Sequence, residues 1–99
     1  MKYKLDRERT LKYGMLALSL IEEKLDKPIS SINMDDMRIK EIAVIIWGGL
    51  VVDDEGLTVE NVMSLIDTYS SIKEATEKMG KAMSKAFGEK TEGTEQKNA

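Results

Sequence analysis

Hydrophobic residues recur at helical spacing along most of the chain, and they are densest over residues 34–50. No polar residue interrupts this stretch between Ile42 and Trp47. A run rich in Val and Ile also suits a buried strand, but Met34 and Met37 continue a helical stripe ahead of it. A helix that is apolar over most of its circumference must be covered from several sides, so residues 34–50 are predicted to form the central core helix. One stripe of this helix consists of Ile39, Ile42, Ile46 and Leu50.

The ends of this helix also carry sequence signals. Asn33 or Asp35 would cap its start by accepting a backbone hydrogen bond. Gly48 and Gly49 are expected to loosen or end it, since glycine costs about 1 kcal/mol relative to alanine inside a helix. Trp47 is predicted to be a core residue, and its replacement by alanine is expected to cost about 3–5 kcal/mol.

Residues 2–13 have two interpretations. Apolar and polar residues alternate on both sides of the polar segment 6–9, which indicates a short β-hairpin. The alternative is a helix that starts near Asp6, because a helical stripe also runs through Leu11, Met15, Leu18, Ile21 and Leu25. Both interpretations include a helix over residues 15–25 that ends before Pro28.

Two further helices are predicted in the second half of the chain. The first opens after Thr58, which is a good N-cap residue. The second begins near Ser71, where Ser71 and Glu74 match a capping box. Its apolar stripe consists of Ile72, Ala75, Met79, Ala82, Met83, Ala86 and Phe87.

These elements predict a mainly α fold. We expect a small helical domain of about four helices over residues 1–87, with a short N-terminal β-hairpin as one of its two alternative beginnings. Residues 88–99 contain no large apolar side chain. They cannot bury enough surface to offset the entropy of ordering, so a disordered C-terminal tail is predicted, and truncation after Phe87 should leave folding intact.

The composition excludes several kinds of chemistry. The 99 residues contain no histidine and no cysteine, which rules out Ser-His-Asp and Cys-His catalysis and the usual zinc ligands. The acidic run 53–55 lacks the spacing of a calcium loop and is interpreted as a turn. We therefore predict no enzymatic activity, no metal and no cofactor. No signal-peptide core and no apolar run of about 18 residues is present, which predicts a soluble intracellular protein without a membrane partner.

The charged residues are distributed unevenly along a chain with a net charge of −3. Residues 1–12 hold five bases and two acids, whereas residues 41–67 hold six acids and no base. This asymmetry predicts head-to-tail attraction between copies and oligomers larger than dimers, which salt or reversal of Arg7 and Arg9 to Glu should shift toward monomer. The residues assigned to this self-association are Arg7, Arg9, Lys12, Asp53, Asp54 and Glu55.

The last helix suggests two different binding functions. Flexible methionine-rich surfaces accept varied apolar partners, and the candidate partner-binding residues are Met63, Met79, Met83 and Phe87. The alternative is a small helix-turn-helix-like DNA-associated regulator, with lysines along residues 71–87. The net negative charge argues against nucleic acid as the partner, because neutralising phosphates supplies most nonspecific affinity.

An ordered set of motifs resembles the tail assembly chaperones of long-tailed phages. The two segments that carry the resemblance read RTLKYGMLALSLIEEKLDKP and AVIIWGGLVVDDEGLTVENVMSLID. The matching positions include the aromatic-small-Gly-Leu step at 47–50, the acidic turn after it, and the Leu57, Thr58, Glu60 and Val62 pattern. The resemblance covers about residues 9–68.

The resemblance implies a protein made in the host cytoplasm during virion assembly and absent from the mature virion. Such a chaperone binds the long, helix-rich tape measure protein without catalysis. It keeps this client soluble until tail tube protein polymerises around it. Homo-oligomers would suit so long a client.

Overall fold

A computed structural model describes residues 1–33 and 35–87, and its fold is mainly helical, as predicted. A short 3-10 helix, Ile29–Ser31, lies between the first two α-helices. In chain order the other elements of the described residues are strands β1 (Lys2–Lys4) and β2 (Glu8–Thr10) and helices α1 (Met15–Leu25), α2 (Ile39–Val51), α3 (Val59–Tyr69) and α4 (Ile72–Ala86). The predicted disordered tail at 88–99 lies outside the described residues.

Helix α2 is the centre of the core, as its apolar pattern predicted. Every residue from 43 to 51 is buried, and the helix packs against α1, α3, α4 and β2. Trp47 is buried, as expected, and its indole Nε1 donates a hydrogen bond of 2.9 Å to the carbonyl oxygen of Leu57. The Lys24 ammonium lies 4.9 Å from the centroid of the Trp47 ring, within the range of a cation–π interaction.

The beginning of α2 differs from the prediction. The helix begins at Ile39 and not at residue 34, and neither Asn33 nor Asp35 caps it. The Asn33 side chain instead accepts a hydrogen bond from the backbone N–H of Asp35, which favours a local turn over a helix start. At the actual start, the Glu41 carboxylate accepts from the Arg38 backbone N–H at 2.9 Å. Lys27 also binds Glu41, and these hydrogen bonds hold the pKa of Glu41 below its ordinary value.

The two glycines do not end α2, which was one of their two predicted effects, because the helix continues through both of them to Val51. Their role is close packing. A Cβ atom at Gly48 would lie 2.7 Å from Cδ1 of Ile21 and nearer still to its Cγ1. A Cβ atom at Gly49 would meet the ring of Tyr13. The glycines therefore let residues 13–21 approach the backbone of α2 directly.

The N-terminal segment is a β-hairpin, which decides between the two interpretations. Strands β1 and β2 pair antiparallel, with Tyr3 opposite Arg9. Tyr3 is fully buried, and its hydroxyl shares a hydrogen bond of 2.6 Å with the Ser70 hydroxyl. The hairpin is thereby attached to the junction between α3 and α4. Helix α1 then runs from Met15 to Leu25, as predicted.

The predicted caps of the last two helices are largely confirmed. The Thr58 hydroxyl accepts from the Asn61 backbone N–H at 3.0 Å, and the Ser71 hydroxyl accepts from the Glu74 backbone N–H at 3.1 Å. Only half of the expected capping box forms at Ser71. The Glu74 carboxylate accepts from the Ser70 hydroxyl instead, because that hydroxyl is already held in place by Tyr3.

Candidate binding surfaces

An open apolar cleft of about 140 Å³ lies where the start of α2 meets α3 and the start of α4. Two of its residues, Ile39 and Ile72, begin their helices and are 56% and 54% exposed. Ala43 and Ala75 are buried beneath them. The lining residues are Ile39, Ile42, Ala43, Met63, Ile66, Asp67, Ile72 and Ala75. We refer to this site as the apolar cleft.

Only one of these lining residues carries a charge, and it is Asp67. None of the ion pairs in the described part of the chain involves it. Asp67 lies in the last turn of α3, a helix whose sequence contains Glu60 and Asp67 but no base. An acid is disfavoured at that end, since the C-terminus of a helix carries a partial negative charge.

The structure corrects the predicted partner-binding set in α4. Met79 and Met83 are 1% and 2% exposed and belong to the core, so they cannot form a surface for a partner. Both lie on the apolar stripe of α4, a helix that packs against α2 and α3. Met63 is half-buried and lines the apolar cleft. Phe87 is 53% exposed at the end of α4 and does not line the cleft.

A second exposed apolar surface lies at the start of α1. Met15 and Leu16 are 85% and 62% exposed, and Leu20, one turn further on, is partly buried against the core. We call Met15 and Leu16 the α1 edge. The sequence places Met15 in a helical stripe, and no pattern in it indicates that either residue is exposed.

Five of the six charged residues assigned to self-association form ion pairs with one another inside one chain. Arg9 donates to Asp54 at 3.2 Å and to Asp6 at 2.9 Å, and its side chain is only 9% exposed. Lys12 lies 3.0 Å from Asp53, and Arg7 lies 3.6 Å from Asp54. Because the hairpin folds back onto the turn after α2, these charges contact one another within one copy. Glu55 is exposed in the same turn.

This charged network also shifts pKa values. Hydrogen bonds from Arg9 hold the pKa of Asp6 below its ordinary range, and hydrogen bonding to Asp6 raises the pKa of Arg9. A carboxyl whose pKa is lowered on folding stabilises the protein above the unfolded value of about 4, and this contribution is lost as the pH falls through the folded value. The network is therefore acid-sensitive.

The acidic residues after α2 form a turn, as interpreted from the sequence. The Asp53 and Asp54 backbone N–H groups donate to the carbonyl oxygens of Leu50 and Val51. Across residues 1–33 and 35–87, no group of three or more acidic side chains is arranged to hold a metal ion. In the same residues no helix is both long enough and apolar enough to cross a membrane.

The outer face of α4 bears on the DNA-binding alternative. Lys73, Lys81 and Lys85 are exposed, but so are Glu74 and Glu77 on the same helix. The face is therefore of mixed charge, and such a face attracts phosphate less than a basic stripe does.

Comparisons with protein families, with curated proteins and with solved structures found no match to this chain.

Proposed function

We propose that this protein is a tail assembly chaperone of a long-tailed phage, which binds the tape measure protein and keeps it soluble without catalysis. It would act in the host cytoplasm and be absent from the mature virion. Tail tube protein would replace it on the client. The observation that carries the proposal is the apolar cleft, which keeps Ile39 and Ile72 more than half exposed in a chain of only 99 residues.

The residues of the phage-like motifs have structural roles. Trp47 and Leu50 are core residues, Gly49 allows close packing, and Thr58 caps α3. These four residues therefore serve folding, and we assign the contacts with a client to exposed positions. The exposed apolar residues of the cleft supply such positions.

The cleft suits a client made of long amphipathic helices. Each cleft covers a short apolar segment, so a single copy would bind weakly. Several copies along one client would act at high effective concentration, because each contact after the first is intramolecular. Weak individual contacts would also let tail tube protein displace the copies one by one.

Co-expression with the tape measure protein of the same genome tests the proposal. The client alone should be insoluble, and the wild-type chain should bring most of it into the soluble fraction. The double variant Ile39→Glu/Ile72→Glu should abolish this effect while remaining folded, since both residues are exposed first positions of helices, where an acid is favoured.

Val52→Glu is the matched control, because it removes an exposed apolar side chain that does not line the cleft. It should retain solubilisation. A client that stays insoluble with the wild-type chain would contradict the proposal. The gene neighbourhood gives a second check, since a very long, helix-rich gene of tape-measure type should follow directly.

The DNA-associated regulator is the alternative from another class. It requires measurable affinity for duplex DNA at low salt and a steep loss of affinity as salt rises. A titration of a fluorescent DNA duplex at two salt concentrations distinguishes the regulator from the chaperone, because only the regulator should bind the duplex.

A further inference from the structure

We propose that the apolar cleft recognises an amphipathic helix that places one large apolar side chain in the cleft and a Lys or Arg beside Asp67. This inference rests on the proposed function, because it specifies which feature of a client the cleft would select.

The size of the cleft limits what enters it. An apolar cavity of about 150 Å³ holds one benzene molecule, and the cleft measures about 140 Å³. It therefore has room for one leucine, methionine or phenylalanine side chain. The small buried side chains of Ala43 and Ala75 provide this depth, and Ile39 and Ile72 flank it.

The backbone around the cleft favours a helix as the occupant. Every lining residue belongs to α2, α3 or α4, so no strand edge is offered to an extended peptide. A partner bound there must satisfy its own backbone hydrogen bonds, and an α-helix does so internally. Apolar anchors of an amphipathic helix inserted between helices are a recurrent mode of recognition.

Asp67 gives the cleft a preference for positive charge. It has no cation among the ion pairs of the described residues, and no base lies in the last turn of α3. The carboxylate and the carbonyl groups at the end of α3 both carry negative charge. A Lys or Arg one turn from the apolar anchor of the partner would neutralise both at once, since residues three or four apart lie on the same face of a helix.

A pair of synthetic peptides tests this inference. Each is a helix-forming peptide of about 18 residues with a leucine stripe on one face. The first carries Lys one turn from the central leucine and the second carries Gln there. Binding is measured by fluorescence anisotropy at low salt. Against the wild-type chain the Lys peptide should bind roughly two- to fivefold more tightly, the range expected for an exposed ion pair.

Variants of Asp67 test whether this residue causes the preference for the Lys peptide. The Asp67→Asn variant should bind the two peptides equally. The Asp67→Lys variant should bind the Gln peptide more tightly than the Lys peptide. Glu55→Lys makes the same change of charge in an exposed turn outside the cleft and should keep the wild-type preference.

A second pair of variants tests the apolar contact. Ile72→Glu should weaken the binding of both peptides at least tenfold, whereas Met15→Glu, another exposed first position of a helix, should not. Melting temperatures establish that each variant is folded, and that of Asp67→Asn should rise slightly.

The outcomes separate this inference from the proposed function. If neither peptide binds, or if the preference for Lys survives in Asp67→Asn, the inference is wrong even where the chain solubilises the tape measure protein. If the charge preference follows Asp67 but the client stays insoluble with the wild-type chain, the inference holds and the proposed function is wrong.

Discussion

The ring of Tyr13 packs against the backbone of Gly49 so closely that a Cβ atom at position 49 would lie 2.7 Å from Cζ. The Tyr13 hydroxyl donates a hydrogen bond of 2.7 Å to the carbonyl oxygen of Ile45, one turn earlier in the same helix. The hydroxyl end of the ring is therefore held by α2 through both a hydrogen bond and close packing. It attaches the segment before α1 to the centre of the core.

We predict that Gly49→Ala destabilises the protein by up to about 2 kcal/mol. Overpacking usually costs about 1–3 kcal/mol, and the gain from replacing glycine inside a helix, about 1 kcal/mol, offsets only part of it. Urea unfolding followed by tryptophan fluorescence measures the change. Gly80→Ala is the matched control, because nothing lies within 4 Å of a Cβ atom in that part of α4, and it should stabilise by about 0.5–1 kcal/mol. Equal effects of the two substitutions would contradict the packing role of Gly49.

The two glycines show why the sequence predicted the elements better than their contacts. Helical periodicity located the four α-helices of residues 1–33 and 35–87, and the caps at Thr58 and Ser71 were recognisable because capping is local. A glycine pair inside an apolar run can indicate either the end of a helix or the close approach of another element. The positions of Tyr13 and Ile21, which are distant in sequence, decide between them.

Tyr13 should also affect stability at high pH. Burial raises the pKa of the Tyr13 hydroxyl well above its ordinary value. A group with a raised folded pKa contributes stability below the unfolded value of about 10, and this contribution is lost as the pH rises above it. We predict that the free energy of unfolding of the wild-type chain falls above pH 10 and that Tyr13→Phe reduces the slope of this fall.

The measurement is urea unfolding at several pH values between about 8 and 11. At neutral pH, Tyr13→Phe should cost about 1 kcal/mol for the lost hydrogen bond. Tyr69→Phe is the control, because Tyr69 is 54% exposed. If both variants have the same alkaline slope as the wild-type chain, burial of Tyr13 does not govern it.

The charged network predicts a difference between two neighbouring arginines. Arg9 is almost buried and bonded to two carboxylates, whereas the Arg7 side chain is 64% exposed and lies 3.6 Å from Asp54. Arg9→Glu should destabilise by at least about 1.5–3 kcal/mol, the value of a hydrogen bond to a charged group. Arg7→Glu should cost about 0–1 kcal/mol, as exposed pairs do. Thermal unfolding at neutral pH measures both, and similar losses would show that burial of Arg9 does not matter.

The site was harder to predict than the fold for a physical reason. Met79 and Ile72 belong to the same apolar stripe of α4, but Met79 is buried and Ile72 is 54% exposed. The apolar stripe predicts which face of the helix is apolar, but it does not predict how much of that face a neighbouring helix covers. The first turn of a helix is the part that a neighbour most easily leaves uncovered. Arg9 and Asp54 were likewise identified as charged partners, but their pairing within one chain required the hairpin to fold back onto the turn after α2.

Self-association remains a prediction, and the structure changes which residues should produce it. The charges at Arg7, Arg9 and Lys12 are paired within the chain, which weakens their attraction for a second copy. The α1 edge, in contrast, exposes two large apolar side chains next to each other. Exposed apolar surface of this kind marks contacts between proteins, and several copies on one client would bring these edges near each other.

We therefore predict concentration-dependent oligomers that depend on the α1 edge. Sedimentation velocity of the wild-type chain should show species larger than dimers at high concentration. The double variant Met15→Gln/Leu16→Gln should shift them to monomer without a change in net charge or in melting temperature, because both residues are exposed. Val52→Gln, which removes one exposed apolar side chain elsewhere, should leave the oligomers unchanged. Added salt should have little effect, since apolar contacts are not screened. A wild-type chain that stays monomeric at every concentration would rule out assembly. If added salt dissociates the oligomers, charged residues and not the α1 edge form the contact between copies.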